Sequence, residues 1–175
     1  TLTIADGGQL KQNGNVEVIM KKEIASYGTG SANWHFIASP LTTTRVTYIT
    51  DWSYVNALDG NYDLFGFDPT QALEWINYRS SSGHALFTSS NNNPVFVQQT
   101  GYLYANEEDM TLQFEGSTAV KSNGNVLSQE LTFDDSSTNP FNGWVLVGNP
   151  FTCNGYITYS GDATFYKMNA AGDGL

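Results

Sequence analysis

The sequence lacks several features that would point to common functions. It has one cysteine, Cys153, which excludes a disulfide framework within the chain and a cysteine-only metal cluster. Basic residues are scarce: 7 Lys and Arg stand against 17 Asp and Glu, and the net charge of −10 argues against nucleic acid as a partner. No apolar run approaches the roughly 18 residues that span a bilayer, so we expect no direct membrane insertion.

The given sequence also shows neither an initiator methionine nor the pattern of a leader peptide. It begins at Thr1, without Met and without a charged segment followed by an apolar one. Leu2 and Ile4 alternate as in a strand that has no preceding turn, so we expect a mature or excised part of a longer protein, with neighbouring domains as partners. Scarce lysine and cysteine favour an exported protein, extracellular or on the outer-membrane surface.

Small polar residues take the place of the missing charge. The chain has 17 Gly, 17 Asn, 15 Ser and 18 Thr, more than a third of its 175 residues. Asn, Ser and Thr compete for backbone hydrogen bonds and Gly costs backbone entropy, so this composition disfavours helices. With 4 Trp, 10 Tyr and 10 Phe to build a core, it predicts short strands joined by many turns.

The chain resembles itself at an offset of 110 residues, with eleven identities in the first fifty pairs. The clearest pairs are Asn-Gly-Asn-Val at 13–16 with the same tetrapeptide at 123–126, Trp34 with Trp144, and Pro40 with Pro150. Each copy predicts a turn, a buried strand that begins at the tryptophan, and a strand end at the proline, which cannot donate to a ladder. We expect Trp34, Pro40, Trp144 and Pro150 to be structural, with both tryptophans in the core; two unrelated hairpins are the alternative.

Further strands are predicted at 46–50, 62–68, 84–87, 95–97, 102–104, 110–114, 156–160 and 163–168. Asp-Pro-Thr-Gln at 68–71 has the residue types that begin a helix, which predicts one short helical turn ending near Trp75. The sequence therefore predicts an all-β fold with at most one or two helical turns, most economically a jelly-roll-like β-sandwich. It would be a single domain over 1–175, with pseudo-repeat halves at about 1–60 and 111–170 and an insert at 61–110.

Two segments carry a family resemblance. WVLVGNPF at 144–151 resembles the "GWNLVGNPF" signature of secreted and surface proteins of Bacteroidetes bacteria, and WHFIASPL at 34–41 resembles its partner motif. Stretches at 62–65, 74–79, 101–106 and 111–116 resemble others that accompany them. Val145 departs from the usual Asn and Gly155 from a common Ala. The resemblance implies an exported β-sandwich from a larger surface protein and implies no catalytic residues.

The continuous segment 52–78, which has no counterpart under the offset of 110, concentrates aromatic residues among amides and carboxylates. Sugar rings stack on aromatic faces while planar polar side chains bind their hydroxyls, which makes this segment a candidate surface for a glycan, or for another surface protein. The candidate ligand-binding residues are Trp52, Tyr54, Tyr62, Trp75, Tyr78 and Arg79. Packing in the core is the alternative for these aromatics.

Catalytic and metal-binding patterns are weak. Asp59, Asn61 and Asp63 have the oxygen spacing of a calcium loop, but Leu64 stands where an EF-hand needs Gly and Thr70 where it needs Glu. The Gly-x-Ser-x-Gly motif of a nucleophile elbow is not present in the sequence. We therefore expect a protein that is not an enzyme and holds no cofactor. The sequence favours a non-catalytic adhesion or carbohydrate-binding module, with a structural spacer or capping domain as the alternative and a glycoside hydrolase part as a further one.

Overall fold

The computed structural model describes residues 1–27, 33–46, 62–78, 80, 96–118, 140–158 and 161–167. In these residues the chain forms strands and no helix, which confirms the predicted all-β fold. The strands are β1 (Leu2–Ile4), β2 (Glu17–Ile24), β3 (His35–Ile37), β4 (Thr42–Val46), β5 (Tyr62–Phe67), β6 (Trp75–Asn77), β7 (Tyr102–Asn106) and β8 (Met110–Ser117). No helix of the described part is long and apolar enough to cross a membrane.

The first sheet has the strand order β1-β2-β8-β4. Its main ladder joins β2 to β8, antiparallel from Glu17↔Ser117 to Ile24↔Met110. β1 runs parallel to β2, and β4 runs antiparallel to β8 with a bulge between Thr43 and Arg45. A strand from late in the chain therefore lies between two early ones, so the sheet depends on contacts between distant parts of the sequence.

The second sheet has the strand order β3-β7-β5-β6, and every neighbouring pair is antiparallel. β7 lies between β3 and β5, just as β8 lies between β2 and β4 in the first sheet. The consecutive strands β7 and β8 are thus inserted into two different sheets, each between strands from the first seventy residues.

One hydrophobic core takes side chains from both sheets. Its strand residues are Ile4, Val18, Ile24, Val46, Leu112 and Phe114 of the first sheet and Ile37, Tyr62, Leu64, Tyr102 and Tyr104 of the second. Phe96 connects them, with its ring 4.9 Å from that of Tyr102 and 6.1 Å from that of Phe114. The alternating burial of β8, with Leu112, Phe114 and Gly116 inside, is the strand pattern that a one-sided sheet requires.

Several predicted strands lie where the sequence places them. β7 and β8 cover the predictions at 102–104 and 110–114, and β5 covers the prediction at 62–68 except for Asp68. β3 begins one residue after Trp34. Of the prediction at 46–50, only Val46 is described, at the end of β4. The prediction at 84–87 lies outside the described residues, and 96–97, the described part of the prediction at 95–97, has no strand.

The predicted helical turn before Trp75 is wrong. Asp68 instead closes a turn: its Oδ1 accepts hydrogen bonds from the Thr70 backbone N–H at 3.0 Å and from the Thr70 hydroxyl at 2.7 Å. Its backbone carbonyl accepts the Gln71 N–H at 3.2 Å, and its own N–H donates to the Glu74 carbonyl at 2.8 Å. The side-chain bonds would also suit a helix start. The bond from the Asp68 N–H to the Glu74 carbonyl instead closes the loop and returns the chain into β6, which pairs with β5.

The second motif copy does not repeat the strand of the first. β3 carries the first copy, whereas the second makes one isolated bridge, Thr100↔Val147. The described parts of the predicted strands at 156–160 and 163–168 contain no strand, and Tyr156 is 99% exposed. No strand of the described residues pairs with these segments.

The two copies do share one local turn. Ser39 Oγ accepts the Leu41 N–H at 3.2 Å, and Asn149 Oδ1 accepts the Phe151 N–H at 3.0 Å. In each case the side chain before the proline bonds the backbone two residues further on. The shared motif thus specifies a turn in both places, while a structural repeat of the whole halves stays a prediction.

Candidate binding surface

The two faces of the second sheet are both apolar but differ in burial. Along β5, Tyr62 and Leu64 are buried in the core, so the alternate residues Phe65 and Phe67 point to the opposite face. The same alternation places Phe36 of β3 on that outer face, since Ile37 is a core residue. We call the outer set Trp34, Phe36, Phe65, Phe67 and Trp75 the aromatic face.

One row of this face crosses the whole sheet. Phe36 pairs with Leu103, Leu103 with Phe65, and Phe65 with Asn77, so the row contains one residue from each of the four strands. Phe36 is 37% exposed and the other three are half-buried. The row therefore presents aromatic and aliphatic surface that ends in an amide.

Ring contacts hold the aromatic face together. Trp75 stacks on Phe36 with ring centroids 6.4 Å apart and planes 17° apart, and it meets Phe67 edge-on at 5.0 Å. Trp34 meets Phe65 edge-on at 5.8 Å. Edge-to-face and offset pairs at these distances are favourable beyond simple burial, so the rings keep one another in fixed orientations.

Residues after 140 border the face on one side. Phe141 lies edge-on against Phe67 at 5.8 Å and against Trp75 at 6.4 Å. Trp144 follows, 6.2 Å from Phe141 and stacked on Tyr166 at 4.9 Å. The aromatic surface thus continues beyond the strands onto this segment.

Planar polar groups lie beside the rings. Asp63 shares the outer side of β5 with Phe65, and Asn77 Nδ2 donates to Asp63 Oδ1 at 3.4 Å. In the loop before Trp75, partial burial would raise the pKa of Asp68, but hydrogen bonds from Thr70 and Gln71 outweigh it and lower the pKa below its ordinary value. Both carboxylates are acceptors of the kind that bind hydroxyl groups.

The outer face of the first sheet has a different character. Its residues on β2 and β8 are Glu17, Ile19, Lys21, Glu23, Thr111, Gln113, Glu115 and Ser117, of which only Ile19 is apolar. Glu23 Oε2 accepts a hydrogen bond from Thr111 Oγ1 at 2.9 Å across the strands. This is the polar outside expected of an antiparallel sheet against water, so the aromatic face is a property of the second sheet and not of the fold as a whole.

Among the predicted ligand-binding residues, the structure separates Trp75 from two tyrosines. Trp75 is half-buried and belongs to the aromatic face. Tyr62 and Tyr78 are 6% and 1% exposed, which corrects the expectation that their rings face a ligand: both are core residues. Trp52, Tyr54 and Arg79 lie outside the described residues.

The calcium candidates are only partly described. Asp59 and Asn61 lie outside the described residues, and Asp63 is on the outer side of β5 beside Asn77. Among the described residues, no group of three or more His, Cys, Asp or Glu side chains is placed to hold a metal ion.

The four residues predicted to be structural lie outside the core cluster, the tryptophans among outer aromatics and the prolines in turns. Trp34 and Trp144 are half-buried and neither belongs to the core cluster, which corrects the expectation that they anchor the core. Each packs on other outer aromatics instead. Pro40 and Pro150 are half-buried and occupy the two equivalent turns.

Four outer aromatics are not among the site residues predicted from the sequence: Phe36, Phe65, Phe67 and Phe141. A signal for three of them was present, because period-two alternation in β3 and β5 puts them on one face once the core face is known. Phe141 had no such signal, since it lies in a turn that packs by tertiary contact alone.

The chain matches no protein-family model, no curated protein and no solved structure.

Proposed function

We propose that the protein is a non-catalytic module of an exported bacterial surface protein, and that its aromatic face binds carbohydrate. The observation that carries the proposal is the contrast between the two sheets: the outer face of the second sheet presents Trp34, Phe36 and Trp75, while that of the first is polar. Soluble proteins seldom leave a contiguous apolar patch exposed unless something binds there.

A sandwich of jelly-roll type is the architecture we propose for the module. The shared core and the contacts of Phe96 with both sheets support face-to-face packing of the sheets. The insertion of β7 and β8 between early strands supports a Greek-key connection of the kind found in jelly rolls. Such a framework holds the aromatic face on rigid strands and not on loops.

The chemistry of the face suits a sugar. Trp75 and Trp34 offer the largest rings on the face, and Asp63 and Asn77 lie on the same side of the sheet to exchange hydrogen bonds with hydroxyl groups. Apolar ring faces beside a few oriented polar groups are the usual lining of a small-ligand site.

A structural spacer or capping domain is the second candidate. The edge-on packing of Phe141 against Phe67 and Trp75 favours it, because such contacts stabilise the fold without any ligand. The two proposals differ in one measurable property, which is whether the full chain binds any polysaccharide.

The test is a glycan array followed by titration of the best polysaccharide with the Trp75→Ala variant. We expect Trp75→Ala to weaken binding about tenfold, equal to about 1.4 kcal/mol, because the stacking surface is lost. Tyr156→Ala is the matched control: Tyr156 is 99% exposed and belongs to no described ring contact of the face, so its loss should leave affinity unchanged.

Two outcomes would count against carbohydrate binding. No binding of any glycan by the wild-type chain would favour the spacer. Equal weakening by Trp75→Ala and Tyr156→Ala would show that the aromatic face is not the site. Turnover of a chromogenic glycoside would instead favour the glycoside hydrolase alternative.

A further inference from the structure

We propose that the aromatic face selects uncharged glycans over polyanionic ones, and that Asp63 sets this preference. The inference rests on the proposed carbohydrate-binding function and names the class of glycan that the surface accepts. It comes from the position of one carboxylate and from the distribution of basic residues around it.

Asp63 lies within the polar edge of the face. β5 places it two residues before Phe65, on the same outer side, opposite Ala105 of β7. The side chain is half-buried, and Oδ1 accepts a long hydrogen bond of 3.4 Å from Asn77 Nδ2. Among the described residues, no group donates a hydrogen bond to Asp63 Oδ2. This oxygen can therefore accept a hydrogen bond from a ligand hydroxyl.

No lysine or arginine belongs to the described strands of the second sheet. The one histidine there, His35 of β3, alternates with the outer residue Phe36, and its Nε2 lies 3.0 Å from the Ala25 carbonyl oxygen. The lysines with described side chains are Lys11, Lys21, Lys22 and Lys167. Two of them belong to β2 of the first sheet, where Lys22 pairs with Asp6 at 3.3 Å. A carboxylate or sulfate on a glycan would therefore meet Asp63 without a cation from these strands to compensate.

The physical consequence is a difference between ligand classes. A neutral sugar donates a hydroxyl hydrogen to the Asp63 carboxylate, and that hydrogen bond is strengthened by the charge. An acidic sugar in the same position brings a like charge close to a half-buried carboxylate, which is unfavourable. The net charge of −10 adds a long-range repulsion of the same sign.

The experiment compares two kinds of polymer on the full chain at low ionic strength. The neutral probes are hydroxyethylcellulose, glucomannan and galactomannan, and the anionic probe is polygalacturonate, each included in a native affinity gel. The variant is Asp63→Asn, which keeps an acceptor for Asn77 and removes the charge. Glu17→Gln is the matched control, because it removes one charge from an exposed residue of β2 in the first sheet.

We expect the wild-type chain to be retarded by a neutral polymer and not by polygalacturonate. Asp63→Asn should bind the neutral polymer about three- to tenfold more weakly, because the hydrogen bond from the sugar hydroxyl is no longer strengthened by a charge. The same variant should gain affinity for polygalacturonate by about tenfold, as the removal of one nearby like charge predicts. Glu17→Gln should match the wild type on both polymers. Circular dichroism confirms that each variant is folded.

Three results would overturn the inference. The first is wild-type retardation by polygalacturonate equal to that by the neutral polymer. The second is the same polygalacturonate affinity for Asp63→Asn and Glu17→Gln. The third is calcium-dependent binding of polygalacturonate that Asp63→Asn abolishes, since Asp63 would then hold a cation. No retardation by any of the polymers would overturn the proposed function itself, and this inference with it.

Discussion

At the scale of single residues, Gly148 leaves less room for a side chain than Gly8, Gly101 or Gly155. A Cβ atom on it would lie 2.3 Å from the Ala38 Cβ and 2.8 Å from the Thr100 carbonyl oxygen. Its N–H donates to the Gln99 carbonyl at 2.7 Å. The second motif therefore needs glycine here because it passes directly against the end of the first.

Gly148→Ala should destabilise the fold by about 1–3 kcal/mol, the usual cost of forcing extra volume into a packed site. The added methyl group meets a Cβ and a backbone oxygen, and neither can rotate away. Urea unfolding measures the effect as a lower midpoint at constant m-value. Gly14→Ala is the control, because its Cβ would have nothing within 4 Å; equal midpoints for the two variants would contradict the packing argument.

Tyr104 makes stability sensitive to alkaline pH. Burial raises its pKa from 10.0 to about 12, against a smaller lowering by the hydrogen bond from Asn106. Below pH 10 the phenol is protonated in both states. Between pH 10 and 12 the unfolded chain ionises while the folded chain does not, so the free energy of unfolding should fall by roughly 2 kcal/mol.

Urea titrations across that pH range test this expectation, with Tyr104→Phe as the comparison. The variant loses the hydrogen bond that the hydroxyl accepts from Asn106 Nδ2 and the one that it donates to Met110 Sδ. It should therefore be less stable at neutral pH but show a shallower alkaline decline. The burial of Tyr102 also raises its pKa and leaves a residual slope. An unchanged slope in Tyr104→Phe would show that this phenol is not responsible.

The positions of individual aromatics show where sequence reasoning stops. In β5 both faces are apolar, Tyr62 and Leu64 on one and Phe65 and Phe67 on the other. Alternation predicts that the two pairs separate, but it cannot say which pair is buried, because that depends on the strands and turns that cover each face. For this reason the sequence alone assigns Tyr62 to a ligand surface and gives no ground for choosing Phe65.

At the scale of elements, the strand order predicts unequal local stability. β7 and β8 each have a paired neighbour on both edges, whereas β6 is a three-residue strand at the end of the second sheet. Native-state hydrogen exchange should therefore show the slowest amides in β7 and β8 and faster exchange in β6, because central strands open only with most of the fold. Protection of β6 equal to that of β7 would contradict this order.

The local sequence predicts strands well where hydrophobic alternation is regular. It fails at the Asp68 loop, where residue types that also begin helices form a turn. β8 lies at the predicted position because its alternation is regular over eight residues. The Asp68 loop has helix-start residues, but the carboxylate bonds Thr70 and Gln71 in a turn that leads directly into β6. Short-range propensity cannot weigh such a turn against a helix when the strand that follows pairs with β5.

At the scale of the whole molecule, a polar sheet face, an aromatic sheet face and a strongly negative charge occur together. With a net charge of −10, any ligand held by attraction to the whole surface would be a cation, and its binding would weaken as salt screens the field. In the proposed binding mode, stacking on Trp75 and hydrogen bonding to Asp63 would act at contact distance and be much less affected by salt. The salt dependence of binding therefore separates the two mechanisms.

The affinity for a neutral polysaccharide should change by less than about twofold between dilute buffer and about 1 M sodium chloride, where the screening length falls to about 3 Å. Isothermal titration calorimetry at both salt concentrations measures it, and a negative heat-capacity change would identify the buried apolar surface. Trp75→Ala should reduce that heat-capacity change, whereas Glu17→Gln should not. A tenfold loss of affinity in high salt would mean that charged groups, and not the aromatic face, hold the ligand.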